Sequence, residues 1–262
     1  MVGRPITLIT GASSGIGVAL ARVFARNGHE LALVARRKAR LETLASEIGQ
    51  SSGRRPLVIV ADLAKPDATT KIAHALIDAD AEPQYIINNA GFGLFANAAD
   101  GDLNRQLAMI DVNMRALTAL SLTFVPSLER HRGGVLNVGS MAGFMPGPGM
   151  AVYYASKAFV RSFTDSLHRE WRHRGLRVTN LAPGPVPTEF GRQAGVSADT
   201  APNLLTQSAE HVAELGYRGL MQGRALVVPG RFNRVAIALS RLVPRAVLLW
   251  VIERRQARRK AA

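Results

Sequence analysis

Short apolar runs alternate with longer amphipathic stretches along most of the chain. The apolar runs favour β-strands at residues 6–10, 30–35, 57–61, 85–88, 135–138, 177–181 and 225–228. They alternate little with polar residues, a pattern typical of strands buried on both faces. The amphipathic stretches favour helices at residues 15–27, 38–48, 67–78, 102–130, 150–173 and 211–221, with a bend or break near Pro126.

This alternation predicts an α/β fold. Seven strands separated by helices imply a doubly wound, parallel, seven-stranded sheet of the Rossmann type with helices on both faces. The 262 residues fit one such domain, since α/β domains run to roughly 250 residues without splitting. We assign residues 1–230 to this domain and residues 231–262 to a basic amphipathic C-terminal extension. Residues 183–209, rich in Pro, Gly, Ser and Thr, are expected to form an irregular functional loop or lid.

Composition removes several classes of site. The chain has no cysteine, which excludes disulfides, thiolate metal sites and a cysteine nucleophile. Its six histidines show no ligand spacing, so no metal site is predicted. A glycine-rich turn begins at Thr10, too early for a signal peptide to precede it, and no apolar run reaches the roughly 18 residues of a membrane span. The expected location is the cytoplasm.

The positive charge is concentrated at the C-terminus. Of the net charge of +14, residues 231–262 carry +8, from nine basic residues and one acidic residue. The rest of the chain is only mildly basic, so no nucleic-acid partner is predicted. The first interpretation of the tail is one or two amphipathic helices that cap a substrate cleft or pack against another subunit. The second is a helix lying on an anionic membrane surface, and the third is a solvated tail.

A glycine-rich turn joins the first predicted strand to the first predicted helix. Gly11, Gly15 and Gly17 stand where one glycine makes a tight turn, one lets the backbone approach a pyrophosphate and one lets helix and strand pack closely. The helix N-terminus would face phosphates with free N–H groups. The pattern alone could be a flexible turn. Its strand–turn–helix context indicates a nucleotide site.

A second cluster carries candidate proton chemistry. Ser140 ends the fifth predicted strand, and Tyr153 and Lys157 follow on a predicted helix. Four-residue spacing places a phenol and an ammonium on one helix face, and the cation should lower the pKa of the Tyr153 phenol. Tyr154 competes for this role, but only Tyr153 has that spacing to Lys157. Each residue alone could be a surface or turn residue; together with the turn they indicate hydride transfer between a nicotinamide and a carbonyl or alcohol.

These motifs occur together in one order. They are Thr10-Gly11-Ala12-Ser13-Ser14-Gly15-Ile16-Gly17, Asp62, Asn88-Asn89-Ala90-Gly91, Asn113, Ser140, Tyr153-Tyr154-Ala155-Ser156-Lys157 and Pro183-Gly184. In this set the chain resembles the short-chain dehydrogenase/reductase family over about residues 5–230. The resemblance implies an oxidoreductase that acts on a small-molecule carbonyl or alcohol and assembles as a homodimer or homotetramer. Residues 1–230 would then be its NADP-binding catalytic domain.

The resemblance also implies roles for individual residues. Ser140 would orient the substrate oxygen, Tyr153 would carry the proton, and Lys157 would hold the nicotinamide ribose. Asn113 would maintain a water link from Lys157 to solvent, Asp62 would contact the adenine, and the segment after Pro183 would grip the carboxamide. The residues expected to be catalytic are Asn113, Ser140, Tyr153 and Lys157. Those expected at the cofactor are Gly11, Ser13, Ser14, Gly15, Ile16, Gly17, Arg36, Arg37, Asp62, Leu63, Asn89, Ala90, Gly91, Tyr153, Lys157, Pro183, Gly184, Val186 and Thr188.

The end of the second predicted strand indicates which nicotinamide is bound. An NAD enzyme places an acid there for the ribose 2′-hydroxyl, whereas this chain has Ala35-Arg36-Arg37. Two guanidiniums suit a dianionic 2′-phosphate, so NADP(H) is predicted; a solvated arginine pair is the alternative. NADP enzymes of the family often carry a basic residue at the position of Ser14. This chain has none there, so Ser13 and Ser14 would hydrogen-bond the 2′-phosphate in its place.

The substrate is only coarsely indicated. Six residues follow strand ends and predict an apolar, adaptable pocket, unless they are ordinary core: Phe92, Phe95, Met141, Phe144, Met145 and Met150. No cation clamp for an anionic substrate is evident. The leading hypothesis is an NADPH-dependent reductase of an apolar ketone or aldehyde. The alternatives are an NAD-dependent alcohol dehydrogenase and a non-catalytic NADP-binding sensor or scaffold, against which the intact proton-transfer residues argue.

Overall fold

A seven-stranded parallel sheet forms the centre of the molecule. The computed structural model describes residues 3–195, 203–240 and 242–261. Its strands are β1 Arg4–Thr10, β2 Leu31–Ala35, β3 Leu57–Val60, β4 Ala81–Asn88, β5 Gly134–Val138, β6 Arg177–Leu181 and β7 Leu226–Val227. They pair in the order β3-β2-β1-β4-β5-β6-β7, and every pair is parallel. The predicted seven-stranded Rossmann-type fold is confirmed.

Helices connect the strands and cover the sheet. They are α1 Gly15–Arg26, α2 Lys38–Ser52, α3 Ala68–Asp78, α4 Leu103–Ile110, α5 Leu117–Thr123, α6 Val125–Arg130, α7 Ala151–Glu170, α8 Glu189–Ala194, α9 Ala209–Met221, α10 Arg231–Ser240 and α11 Arg245–Ala261. Short 3₁₀ turns lie at Met141–Phe144, Arg172–Arg174 and Asn203–Leu205. None of the helices in these ranges is long and apolar enough to cross a bilayer.

Alternate side chains of each strand enter two separate cores. Ile9 and Leu33 pack with α1, α2 and α9 on one face of the sheet. Leu8 and Val34, their neighbours in sequence, pack with α3, α5 and α7 on the other face. Burial of both faces explains why the strands appear in the sequence as continuous apolar runs. The strand order reverses between β1 and β4, and in doubly wound sheets this switch point opens a crevice at the carboxyl ends of the strands.

The long helix predicted at residues 102–130 is divided. A π-helical segment, Asp111–Ala116, separates α4 from α5, and a break at Phe124 separates α5 from α6. Pro126 lies in the first turn of α6, so it begins a new helix where a missing N–H costs nothing. The predicted loop at 183–209 also contains more structure than expected, namely α8 and the turn at Asn203–Leu205. Residues 196–202 of that prediction lie outside the described residues.

The C-terminal tail forms two helices, α10 and α11. Asn233 anchors the first: its buried side-chain amide donates to the carbonyls of Pro229 (2.8 Å) and Leu205 (3.1 Å). A Cβ placed on Gly184 would lie 2.5 Å from the Asn233 Nδ2, so α10 packs directly on the segment that follows β6. The division of the chain at residue 230 into domain and extension stays a prediction.

Candidate active site

A cleft of about 890 Å³ lies at the carboxyl ends of the strands. Its lining includes almost every residue predicted at the cofactor, together with Ser140, Tyr153 and Lys157. Gly17 and Asn113 are the exceptions among the predicted residues, and both lie just behind the lining. The lining residues predicted from the sequence are Gly11, Ser13, Ser14, Gly15, Ile16, Arg36, Arg37, Asp62, Leu63, Asn89, Ala90, Gly91, Ser140, Tyr153, Lys157, Pro183, Gly184, Val186 and Thr188.

The turn between β1 and α1 has room only for glycine. A Cβ on Gly17 would overlap the Gly11 carbonyl oxygen and lie 2.6 Å from the Asn89 Nδ2. Gly11 and Gly15 have positive φ angles of 65° and 54°, which disfavour other residues. The N-terminus of α1 has no side-chain cap, so its first N–H groups are available to a ligand. This cradle of bare backbone and a free helix N-terminus fits the pyrophosphate of a dinucleotide.

Thr10 and Asn89 hold the turn in place. The Thr10 hydroxyl accepts from the backbone N–H groups of Asn89 and Ala90, each at 3.0 Å, and donates to the Ile87 carbonyl. The Asn89 amide donates back to the carbonyls of Thr10 (2.9 Å) and Gly11 (3.2 Å). Asn88 instead donates to Asn137 on β5 and to Ser121 on α5, each at 2.9 Å. The ends of β1 and β4 are therefore fixed relative to each other beside the cleft.

The two arginines after β2 differ in their partners. Arg37 donates to the Ser13 hydroxyl (3.0 Å) and forms an ion pair with Glu189 (2.7 Å). Arg40 also pairs with Glu189, at 2.5 Å, and the two guanidiniums lower the pKa of that carboxyl to about 2. The described residues supply no hydrogen-bond or ion-pair partner for the Arg36 guanidinium, which lines the cleft and is exposed. Of the pair, Arg36 is thus the cation available to an added anion.

The proposed proton-transfer residues meet on one wall. Ser140 caps the 3₁₀ turn after β5, its hydroxyl accepting from the Ala142 N–H at 3.1 Å. Tyr153, in the first turn of α7, lies near enough to Ser140 for that hydroxyl to lower the pKa of the phenol. One turn later, Lys157 donates to the Val138 carbonyl at 2.8 Å, and its Nζ lies 5.9 Å from the centre of the Tyr153 ring. The α7 spacing and the end of β5 therefore bring a hydroxyl, a phenol and an amine together.

Burial dominates the titration of this group. It raises the pKa of Tyr153 to about 12, although the nearby Ser140 hydroxyl lowers it. Burial also lowers the pKa of Lys157 to about 8. The expected lowering of the Tyr153 pKa by Lys157 is wrong for this arrangement, because removal of the phenol from water dominates and the Lys157 amine is directed to the Val138 carbonyl. An amine with a pKa near 8 is poised to change its charge close to neutral pH.

Asn113 lies behind this wall at the π-helical segment. Its amide donates to the Phe92 carbonyl and to the Ser156 hydroxyl, each at 3.0 Å, and its oxygen accepts from the Phe92 N–H at 3.1 Å. A Cβ on Gly91 would lie 3.0 Å from that oxygen and 3.5 Å from the Lys157 Nζ. A π-helical turn widens the local hydrogen-bond pattern and is frequent at functional sites. Asn113 therefore links the π-helical segment to α7 and to the residues that follow β4, close to Lys157.

The opposite end of the cleft is apolar. Phe92, Met141, Met145 and Met150 line it as the sequence predicts. Phe95 does not line it but packs against the cluster beneath, and Phe144 is absent from the lining because its ring stacks under the Arg161 guanidinium at 4.2 Å. Tyr154 lines the cleft as well, edge-on to Tyr153 with ring centres 6.0 Å apart.

Several lining residues were missed by the sequence analysis. Phe190 packs on Tyr153 with ring centres 5.5 Å apart, and Arg105 on α4 and Ile252 on α11 reach the same cleft. The position of Arg105 on the helix that follows β4 could have suggested a cleft residue, since α4 starts at the carboxyl edge of the sheet. No local sequence pattern indicates that Glu189 or Ile252 lies near the cleft. No cluster of three or more potential metal ligands occurs among the described residues.

The family profile described as short chain dehydrogenase matches residues 5–199, about three quarters of the chain. The chain belongs to the short-chain dehydrogenase/reductase family. Sulfoacetaldehyde reductase 2 of Chromohalobacter salexigens is 40% identical over 222 residues, which are 80% of this chain and 86% of that protein. This confirms the resemblance found in the sequence.

Solved structures agree with the family. The short-chain dehydrogenase of Sphingobium yanoikuyae in complex with NADPH superposes with a TM-score of 0.80 at 32% identity, over 91% of this chain and 94% of that one. The bulky-bulky ketone specific alcohol dehydrogenase of Comamonas testosteroni has a TM-score of 0.75 at 29% identity, over 92% and 94%. This short-chain dehydrogenase/reductase is therefore an oxidoreductase that acts on alcohol or carbonyl groups with a nicotinamide cofactor.

Proposed function

We propose that this short-chain dehydrogenase/reductase is an NADPH-dependent reductase of ketones or aldehydes with an apolar body. The observation that carries the proposal is the meeting of Ser140, Tyr153 and Lys157 on the wall of a cleft whose other end is a glycine-built phosphate cradle. A bound nicotinamide cofactor supplies the hydride in such a reduction. What the chain itself must supply is binding, orientation and a proton.

Backbone groups and a few side chains hold the cofactor in this proposal. Its pyrophosphate takes the free N–H groups at the start of α1, where Gly11, Gly15 and Gly17 leave room. Asp62 and Leu63, which line the cleft, would face the adenine, and the lining segment Pro183–Thr188 would face the nicotinamide. Asn89, Ala90 and Gly91 also line the cleft and would contact the ribose.

The preference for NADP(H) rests on Arg36. The guanidinium is exposed in the cleft, unpaired among the described residues and ready for a bidentate contact with a 2′-phosphate. Arg37 is partly neutralised by Glu189, so its contribution is smaller. Residues 35–37, which follow the end of β2, include no carboxylate to select a ribose 2′-hydroxyl, and the nearby Glu189 is held by Arg37 and Arg40. The Sphingobium yanoikuyae relative is itself a complex with NADPH.

Ser140 and Tyr153 act on the substrate oxygen. Both hydroxyls line the same cleft close to each other, so both can reach one carbonyl oxygen, with Tyr153 protonating it and Ser140 orienting it. A phenol with a pKa near 12 stays protonated at neutral pH and so begins in the form a reductase needs. After Tyr153 has given up its proton, Lys157 relays a replacement from solvent. Asn113 holds the backbone next to Lys157.

A second substrate class is favoured by one observation. Arg105 lines the substrate end of the cleft, where it is the one cation of the described lining without a cofactor or proton-transfer role in this proposal. Such a guanidinium suits a carbonyl compound that carries a sulfonate or carboxylate. The relative from Chromohalobacter salexigens is named for sulfoacetaldehyde, which carries an aldehyde and a sulfonate. Arg105→Ala separates the classes: it should raise KM for acidic aldehydes only.

Tyr153→Phe tests the proposal. Turnover of NADPH with a panel of ketones and aldehydes should fall by about 10²–10⁴-fold, the usual contribution of a positioned general acid, while NADPH binding remains. Tyr154→Phe is the matched control, since it removes the neighbouring hydroxyl from the same cleft, and it should leave turnover nearly unchanged. Undiminished turnover by the Tyr153 variant would remove this residue from the mechanism. Cofactor binding without turnover of any carbonyl or alcohol by the unmodified protein would favour the sensor or scaffold alternative.

A further inference from the structure

The helix α10 exposes an apolar row to solvent. Phe232, Val235 and Leu239 follow one another at helical spacing, with 47%, 54% and 54% of their surfaces exposed. The opposite face of α10 packs on the body of the protein, where Asn233 and Ile237 are buried. The exposed row is therefore not needed to attach α10 to the fold.

The helix α11 repeats this arrangement. Val247, Trp250 and Val251 lie on one face and are each about half exposed, at 49%, 52% and 48%. Leu242, in the link between the two helices, is 81% exposed. The Arg254 guanidinium lies 4.2 Å above the Trp250 ring, so a cation accompanies the apolar face. Large apolar side chains exposed in one continuous stretch of chain mark an interaction surface.

The segment of sequence that carries these apolar side chains is also strongly basic. Residues 231–262 contain nine basic residues and one acidic residue, a net charge of +8. Arg231 begins α10 next to Phe232, and Arg245 begins α11. The partner of this tail must therefore offer both negative charge and an apolar interior.

We propose that the tail docks the enzyme onto the surface of an anionic lipid bilayer. The outward faces of α10 and α11 insert among the lipid headgroups, and the arginines lie at the phosphates, as in other basic amphipathic helices. A second copy of the tail would bring +8 against +8, so charge opposes self-association through this face. A nucleic acid would satisfy the arginines but leave Leu239 and Trp250 without an apolar environment.

Docking would place the cleft near the bilayer. Ile252 of α11 lines the cleft, and Asn233 of α10 packs on Gly184 in its wall. The cleft would thus lie about one helix diameter, roughly 10 Å, from the headgroups. This placement does not depend on which carbonyl compound the enzyme reduces.

Tryptophan fluorescence tests the docking directly. The chain has two tryptophans: Trp171 is buried, and Trp250 stands on the proposed face. With vesicles of phosphatidylcholine and phosphatidylglycerol in equal parts, at about 0.1 M salt, the full-length protein should sediment with the lipid and its emission should shift to the blue. Phosphatidylcholine alone should give neither change. Trp250→Phe keeps the face apolar, so it should still bind while losing the shift.

Surface variants separate the two contributions. Leu239→Ser with Trp250→Ser should weaken binding by about tenfold or more. Ile77→Ser, which removes an apolar side chain that is 72% exposed on α3, should bind normally. Arg231→Gln with Arg245→Gln should weaken binding at about 0.1 M salt, whereas Arg169→Gln with Arg172→Gln on the body should not. Thermal melting and NADPH binding would show that each variant is folded.

Three results would overturn the proposal. One is equal binding to neutral and anionic vesicles, and another is no binding to either. The third is a dimer that Leu239→Ser with Trp250→Ser converts to monomer in the absence of lipid, because the apolar face would then belong to a subunit interface.

Discussion

The two ends of the cleft are built from different materials. The phosphate end is backbone: Gly11 and Gly17 approach their neighbours so closely that an added methyl group would collide, and Thr10 and Asn89 fix the turn by hydrogen bonds. The far end is side chain, with Met145, Met150 and other flexible or aromatic groups on its wall. A rigid backbone cradle tolerates one ligand geometry, whereas methionine-rich walls adapt. We therefore expect substitutions to have much larger effects at the first end.

Gly17→Ala should have the largest effect. Its Cβ would overlap the Gly11 carbonyl oxygen, so β1 and α1 must separate and the phosphate cradle must distort. We expect cofactor affinity, measured by titration, to fall at least about a hundredfold, and overpacking to destabilise the fold by about 1–3 kcal/mol. Gly49→Ala is the control in α2, where the nearest atom would lie 3.3 Å away. Normal cofactor binding by the Gly17 variant would refute the rigid cradle.

Lys157→Met tests the effect of burying an amine between the two ends of the cleft. Turnover should be lost, yet the variant should be more stable at pH 7, because the folded state lowers the Lys157 pKa from 10.5 to about 8 and so disfavours the buried ammonium. The gain should approach roughly 3 kcal/mol in urea unfolding at pH 7.

The free energy of unfolding should depend on pH in a direction set by Lys157. Between pH 8 and 10.5 the unfolded chain binds more protons at this lysine than the folded protein, so the unmodified protein should gain stability as pH rises through that window. The advantage of the variant should shrink over the same range. Lys38→Met, at the exposed start of α2, should show no such dependence. A Lys157 variant that is less stable at pH 7 would contradict the burial argument.

Arg36→Ala should have an intermediate effect. Loss of a charge-assisted contact should weaken NADPH binding about ten- to hundredfold and leave NADH binding nearly unchanged. Arg37→Ala should cost less, since that guanidinium is already paired with Glu189 and Ser13. Equal losses for both cofactors would mean that Arg36 does not bind the 2′-phosphate. Dissociation constants from NADPH and NADH fluorescence provide the measurement.

Met145→Leu should have the smallest effect. The exchange preserves volume at the adaptable end of the cleft, so it should cost less than about 1.5 kcal/mol of stability and leave NADPH affinity unchanged. Rates across a panel of ketones and aldehydes should shift by only a few fold. A large loss of cofactor affinity would show that the two ends are not independent.

The sequence predicted the sheet more accurately than the cleft. Strand β5 and its neighbours are buried on both faces, so each strand can be recognised as an apolar run in the local sequence. The glycines at positions 11, 15 and 17 likewise indicate directly that a side chain would not fit there. The Glu189–Arg37 ion pair joins residues 152 positions apart, and no local pattern records it. The π-helical segment, the burial that raises the Tyr153 pKa and the position of Ile252 likewise depend on tertiary packing.

The shortness of the sheet edges has a consequence for the behaviour of the folded chain at high concentration. One edge strand, β7, has two residues, and the other, β3, has four. An incoming strand would find little unpaired backbone to extend, and this limits edge-to-edge growth into fibrous aggregates. The buried central strands would be hazardous only before they pair. Protection of this chain against strand-to-strand aggregation therefore depends more on completing the sheet during synthesis than on the edges of the finished sheet.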